Sequence, residues 1–183
     1  VARHNGIDWQ ELPLPLSHGV DGTSSDAINP HIIVDATGNP VVAWTERTAT
    51  GSDIRVAQYD PAAAGGVGGW VAMGNSLTAG GISGTGSADR VQLHETPSGI
   101  VAVWLNVTGG ITQVYARIFT GGVWTTLGAG SASGSGISGA VAGSEIEGLS
   151  VTSNASRLAV AWSQMDASSG IRQVYVLSLI HIS

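Results

Sequence analysis

The sequence predicts an all-β fold made of repeated four-stranded antiparallel sheets, and three observations carry the prediction. The first is composition: 27 glycines and six prolines, with Ser, Thr and Ala between them, suit many turns joining short strands and suit helices poorly. The second is a period. Every aromatic residue, six Trp, three Tyr and one Phe, recurs in register at a spacing of about 60 residues. The third is a run in each period that is apolar at consecutive positions, as in Val41-Val42-Ala43-Trp44, where a strand with one wet face would alternate.

The tryptophans define two registers. Trp44, Trp104 and Trp162 close the strings Val-Val-Ala-Trp, Val-Ala-Val-Trp and Ala-Val-Ala-Trp, 60 and 58 residues apart. Trp70 in Trp-Val-Ala-Met-Gly and Trp124 in Trp-Thr-Thr-Leu-Gly form the second register, which Trp9 in Trp-Gln-Glu-Leu-Pro fits at the amino end. Tyr59 and Phe119 are 60 apart, as are Tyr115 and Tyr175. Each unit then reads as four extended segments. In the first copy these are Asn29 to Asp35, Val41 to Glu46, Ile54 to Tyr59, and Trp70 to Met73. The first ends in a turn signal, Asp35-Ala-Thr-Gly-Asn-Pro40, matched later by Thr96-Pro-Ser-Gly99 and Ser153-Asn-Ala-Ser156. There Gly or Asn takes positive φ and Pro cannot join a central ladder, so the first two segments form a hairpin. The second is apolar on both faces and is therefore an interior strand of a stacked sheet. The third carries the Tyr59/Phe119 register and the fourth opens on the second tryptophan register. The Gly/Ser-rich stretches 78–87 and 127–144 recur between the last strand of one unit and the first of the next, and read as crossovers.

Four-stranded antiparallel sheets packed face to face around an axis are the blades of a β-propeller, so the expected architecture is a partial β-propeller of about three four-stranded antiparallel blades. Tandem immunoglobulin-like domains need about 100 residues each and would not repeat at this period; a β-solenoid needs shorter rungs. A repeat of this length with one tryptophan on an inner strand and another on the last resembles the bacterial propeller repeats of the Trp-x-x-Leu-Gly type, over nearly the whole chain. That resemblance implies a relation to lectin-like or sialidase-like propellers. The expected organisation is 1–26 as the last strand of a preceding blade and its crossover, 27–78 as the first blade, 79–128 as the second and 129–179 as an incomplete third. Roughly four to eight blades close a ring, so the chain is expected to be a piece of a larger propeller, and its tail resembles one found on environmental (metagenomic) gene fragments. The tail 177–183, Leu-Ser-Leu-Ile-His-Ile-Ser, resembles translated sequencing-adapter read-through and is expected to be non-native, so His181 supports no functional expectation.

Thirteen acids stand against seven arginines and no lysine, for a net charge of −6, and the arginines are scattered, so nucleic acid is not an expected partner. No stretch is long and apolar enough for a membrane span and no leader pattern follows Val1. The absence of cysteine removes thiolate metal sites and a cysteine nucleophile.

Catalytic residues are expected to be absent from this chain. His94 and Glu95 are strand neighbours that point to opposite faces, and Glu145 and Glu147 share a face but need a cleft to act on. The Ser-x-Asp-x-Gly-x-Thr-Trp box of sialidases is missing, and so is a Gly-x-Ser-x-Gly elbow. Arg55 aligns with Tyr115 and Tyr175 at what reads as a semi-exposed strand site. No cofactor is expected; calcium would have only the oxygens of Asp21-Gly-Thr-Ser-Ser-Asp26, or of Asp35 with Asn39, neither with EF-hand spacing. The inner-strand tryptophans are expected in the core. Trp70 and Trp124, on the outer strand, and Tyr115 and Tyr175 are the expected ligand-contacting residues. The function expected is a non-catalytic binding or scaffold module of a secreted or cell-surface bacterial protein, with a glycan or protein ligand and the remaining blades of its parent chain as partners. The alternative is a fragment of a sialidase-like propeller glycoside hydrolase whose catalytic residues lie in other blades.

Overall fold

A computed structural model describes residues 2–4, 6–11, 25–154 and 157–180. The chain is all-β, a partial β-propeller. A short hairpin, β1 (Ala2–His4) with β2 (Trp9–Glu11), precedes three antiparallel sheets. The first sheet runs β3 (Asp26–Val34), β4 (Pro40–Thr48), β5 (Gly51–Asp60), β6 (Gly69–Ala72), and the second runs β7 (Ala88–Thr96), β8 (Gly99–Thr108), β9 (Ile111–Thr120), β10 (Val123–Thr126). The third has three strands, β11 (Ile146–Ser153), β12 (Arg157–Met165) and β13 (Arg172–Ile180). Each predicted segment of the first unit falls on one of these strands, with Asp35 and Met73 just beyond the strand ends. The ladder of β13 takes in Leu177 to Ile180, paired with Val160 to Arg157, while residues 181–183 lie outside the described residues.

The amino-terminal hairpin keeps the register of the other outer pairs: His4 faces Trp9 as Tyr59 faces Trp70 and Phe119 faces Trp124. The predicted last strand around Trp9 therefore comes with the strand before it. Strands β3, β7 and β11 touch one another from sheet to sheet, which makes them the inner, axis-side strands.

Alternation explains the apolar runs. Along β8, Ala102 and Trp104 face the first sheet, where they meet Val41, Ala43, Ile54 and Val56; Val101, Val103 and Leu105 face the third, where they meet Leu158, Val160 and Trp162. The middle sheet is thus buried on both sides. Each inner tryptophan points toward the preceding sheet, and on the far face of the first sheet Trp44 packs with Val42, Ala57 and the half-buried Trp70 and Leu77.

The Gly/Ser-rich stretches are ordered crossovers, pinned by a repeated Gly-Ile-Ser. Ile82 N–H donates to the Ile54 carbonyl and Ile137 N–H to that of Val114, each at 2.9 Å. Ser83 Oγ accepts from Ile54 N–H (3.1 Å) and donates to Asp53 (2.7 Å), as Ser138 Oγ accepts from Val114 N–H (3.0 Å) and donates to Gln113 (2.7 Å). The serines are there because the strand edge beyond β6 and β10 would otherwise leave its backbone groups unpaired.

One sequence expectation is corrected. The Arg55/Tyr115/Tyr175 register is not semi-exposed: Arg55 is 6% and Tyr115 2% exposed, and only Tyr175 is half-buried. Arg55 is interior because its guanidinium pairs with Glu46 and donates to the Thr78 carbonyl, so the buried charge has partners.

Candidate functional site

Each inner strand carries a β-bulge at the same place. The register slips between Ile28 and His31, between Asp89 and Gln92, and between Glu147 and Leu149. At each slip one residue is left-handed: Asn29 (φ 51°), Arg90 (φ 55°) and Gly148 (φ 68°). Gly and Asn adopt that conformation readily; Arg does not, and its strain marks the position. A bulge twists its strand and re-aims its side chains. Here the three bulges surround an open pocket of ≈ 500 Å³ lined by Asn29, Pro30, His31, Arg90, Val91, Gln92, Gly148 and Leu149.

A hydrogen-bond network ties the bulges together. Asn29 Nδ2 donates to Asp89 Oδ1 (2.8 Å), to which the buried Thr45 hydroxyl also donates (3.2 Å), while Thr45 Oγ1 accepts from Arg90 N–H (3.2 Å). Arg90 Nε lies 3.9 Å from Asp89 Oδ2, and its side chain is 58% exposed. Two positions further on, His31 Nδ1 accepts from Leu93 N–H (3.2 Å) and Gln92 Oε1 accepts from Val151 N–H (3.0 Å), each binding a sheet to its successor. The His31 bond fixes the neutral tautomer with its proton on Nε2. Gln92 Nε2 donates to the Leu149 carbonyl (2.5 Å), so both ends of that amide are used. Asn29 Oδ1, His31 Nε2 and the Arg90 guanidinium are the groups left to meet a ligand, beside the aliphatic surface of Pro30 and Leu149.

Burial lowers the pKa of His31, and burial together with the neighbouring His31 lowers that of His94, whose ring lies 6.4 Å from it. Both folded values lie below the ordinary 6.5, so the unfolded chain takes up protons first as pH falls. The stabilisation is complete above about pH 6.5 and is lost as pH falls from there through the folded values. Glu95, raised by burial and by the charge of Asp35, acts in the opposite sense at more acid pH. His31→Gln places at position 31 the residue that makes the same bond at 92. It is expected to keep the latch and flatten the slope of the urea midpoint between pH 7.5 and 5.5; equal slopes in the two proteins would remove His31 from the account.

None of the aromatic residues expected to contact a ligand lines this pocket. Trp124 is 7% exposed and donates from Nε1 to the Met73 carbonyl of the first sheet (2.9 Å). The Tyr115 hydroxyl shares a hydrogen bond with Thr108 and donates to the Gly134 carbonyl (both 2.8 Å). Trp70 and Tyr175 are half-buried, with Trp70 edge-on to Tyr59 at 5.7 Å and Tyr175 stacked on Trp162 at 6.0 Å.

The other candidates are accounted for within the fold. Glu145 and Glu147 both pair with Arg172, at 3.4 and 3.3 Å. Near the end of β7, His94 meets the Ser153 hydroxyl (3.4 Å), whereas Glu95 sits against the Asp35 turn. Asp35 Oδ1 accepts from Thr37 N–H (2.9 Å), the Thr37 hydroxyl (2.7 Å) and Asn39 N–H (2.9 Å), and Oδ2 accepts from Gln58, so this carboxylate caps its own turn. Of the other calcium candidate, residues 21–24 lie outside the described residues. Among the described residues no group of three or more His, Asp or Glu side chains gathers to hold a metal, and no helix is long and apolar enough to cross a membrane.

No protein-family model and no curated protein matches the chain. Among solved structures, an α-L-arabinanase of Penicillium chrysogenum complexed with arabinobiose is similar, with a TM-score of 0.50 at 9% identity over 83% of this chain and 45% of that one. An α-L-arabinofuranosidase of Podospora anserina in complex with cellotriose gives a TM-score of 0.47 at 14% identity, over 92% and 49% of the two chains. A GH43 endo-arabinanase of Bacillus licheniformis gives 0.45 at 14% identity, over 86% and 55%. The chain spans about half the length of these structures. At 9% identity, the likeness to the Penicillium enzyme is one of fold.

Proposed function

We propose that this chain is a non-catalytic, glycan-binding part of a secreted or cell-surface propeller protein, and that the sugar sits in the pocket between the three bulges. The observation that carries the reading is the lining itself. Donors and acceptors from Asn29, His31 and Arg90 converge beside an aliphatic surface, the combination that suits a ring with hydroxyls on its edge and C–H groups on its face. No carboxylate lines the pocket, and glycoside hydrolysis ordinarily needs two, about 5 to 10 Å apart. That favours binding over cleavage. The half-buried rings of Trp70 and Tyr175 are secondary positions for a sugar to stack; Trp124 and Tyr115 already use their polar tips within the protein.

Arabino-oligosaccharides are the first probes, because the similar Penicillium enzyme holds arabinobiose. Titration of the labelled chain is expected to shift the amide resonances of Asn29, His31 and residues 90–92 and 148–149. Asn29→Gly, which keeps the left-handed backbone and removes the amide, is expected to weaken binding about tenfold. Shifts confined to other parts of the chain would remove the pocket from the proposal. The second reading, a glycoside hydrolase, is favoured by the fold shared with an arabinanase. Release of reducing sugar from arabinan by the purified chain would decide for it.

A further inference from the structure

We propose that the sugar selected by this pocket is anionic and that Arg90 holds its carboxylate or sulfate, an inference that rests on the glycan reading above. Three equivalent bulges require a left-handed residue, and two of them use Asn and Gly, which take that conformation at little cost. The third uses Arg at φ 55°, a strained choice that packing does not demand, since the side chain is 58% exposed. Backbone strain kept at a pocket wall is the kind of feature retained for what the side chain does there.

The surroundings leave that side chain available. Asp89, its nearest acid, already accepts two hydrogen bonds on Oδ1 and approaches Arg90 only through Nε at 3.9 Å. The terminal guanidinium nitrogens, which form the fork that matches a carboxylate or sulfate, have no partner among the described residues. The remaining lining groups are neutral: two amides, a neutral imidazole and three aliphatic side chains. The lining therefore carries a single cation, and the one carboxylate beside it, Asp89, approaches only its Nε. A neutral sugar would leave the terminal nitrogens of Arg90 to water, and an acidic sugar would occupy them.

The test is isothermal titration of the whole chain with a neutral arabinotriose, a trigalacturonate, a sulfated trisaccharide and inorganic sulfate, at low and high salt. At low salt one or both anionic sugars are expected to bind about tenfold more tightly than the neutral one, an advantage that shrinks with salt. Which of the two is preferred identifies the group as carboxylate or sulfate. Arg90→Gly supplies the residue the backbone prefers, so folding is not at risk, and it is expected to bring the anionic-to-neutral ratio to about one; Arg90→Lys is expected to keep part of it. Equal affinities for neutral and anionic sugars, an unchanged ratio in Arg90→Gly, or inorganic sulfate binding as tightly as the sulfated sugar would each overturn the inference while leaving a glycan site standing. Binding of no sugar at all would defeat the glycan reading itself.

Discussion

Replacing Trp104 with alanine is expected to lower stability by about 3 to 5 kcal/mol, the cost of emptying the largest fully buried position among the described residues. The indole lies in the core between the first and second sheets, edge-on to Tyr115 at 6.0 Å, and is 0% exposed. Because β8 is covered on both sides, the cavity has no solvent-facing neighbour that could relax into it, which puts the cost at the upper end for such substitutions. Trp104→Phe separates the volume of the ring from its polar atom. Nε1 of Trp104 is buried with no hydrogen-bond partner among the described residues, so the change to Phe removes an unsatisfied donor while it removes part of the ring. It is expected to cost less than half as much as alanine. Urea melts at constant m-value check both substitutions; equal losses for Phe and Ala would show that the ring's volume does not set the stability here.

Gly81→Ala is expected to cost about 3 kcal/mol or more. A Cβ at this position would lie 2.1 Å from the Ile54 carbonyl oxygen, the acceptor of the Ile82 hydrogen bond that fastens the crossover, and the residue is left-handed at φ 56°. Strain contributes about 1 to 2 kcal/mol and the overlap about 1 to 3, because backbone on both sides cannot swing aside as a side chain would. Gly84, three residues on in the same crossover, has φ 65° with nothing within 4 Å of its Cβ. Alanine there pays only for the left-handed backbone, about 1 kcal/mol. Gly136, which opens the second Gly-Ile-Ser, would place its Cβ 2.2 Å from the Val114 carbonyl oxygen and should behave as Gly81 does. Similar losses for Gly81→Ala and Gly84→Ala would show that the crossover is not clamped at the Gly-Ile-Ser.

Much of the fold was legible because the repeat writes the same physical requirement three times. A tryptophan closing a run of Val and Ala needs cover on both faces wherever it occurs, and Trp44, Trp104 and Trp162 all found it. The candidate site was not legible in the same way. Asn29, Arg90 and Gly148 share a backbone angle and no side-chain chemistry, so an alignment by residue type passes over them. The signal available was weaker: positions 61 and 58 residues apart, two of them occupied by residues tolerant of positive φ. The aromatic candidates were drawn from residue type, which does not say whether a ring's polar tip is already engaged. Trp124 spends its N–H on Met73 of the neighbouring sheet, and Tyr115 its hydroxyl on Thr108 and Gly134.

The sequence by itself determined that the chain is all-β, where the four segments of the first unit fall, and that the second of them is interior, since periodicity and the size of apolar side chains are local properties that do not depend on the tertiary fold. Only the tertiary structure decided which residues face the axis. Stacking brings β3, β7 and β11 side by side, and a one-residue bulge in each turns Asn29, Arg90 and Gly148 toward a common space. That convergence depends on the register between strands and on contacts between residues about 60 positions apart, and neither is written in any single stretch of sequence.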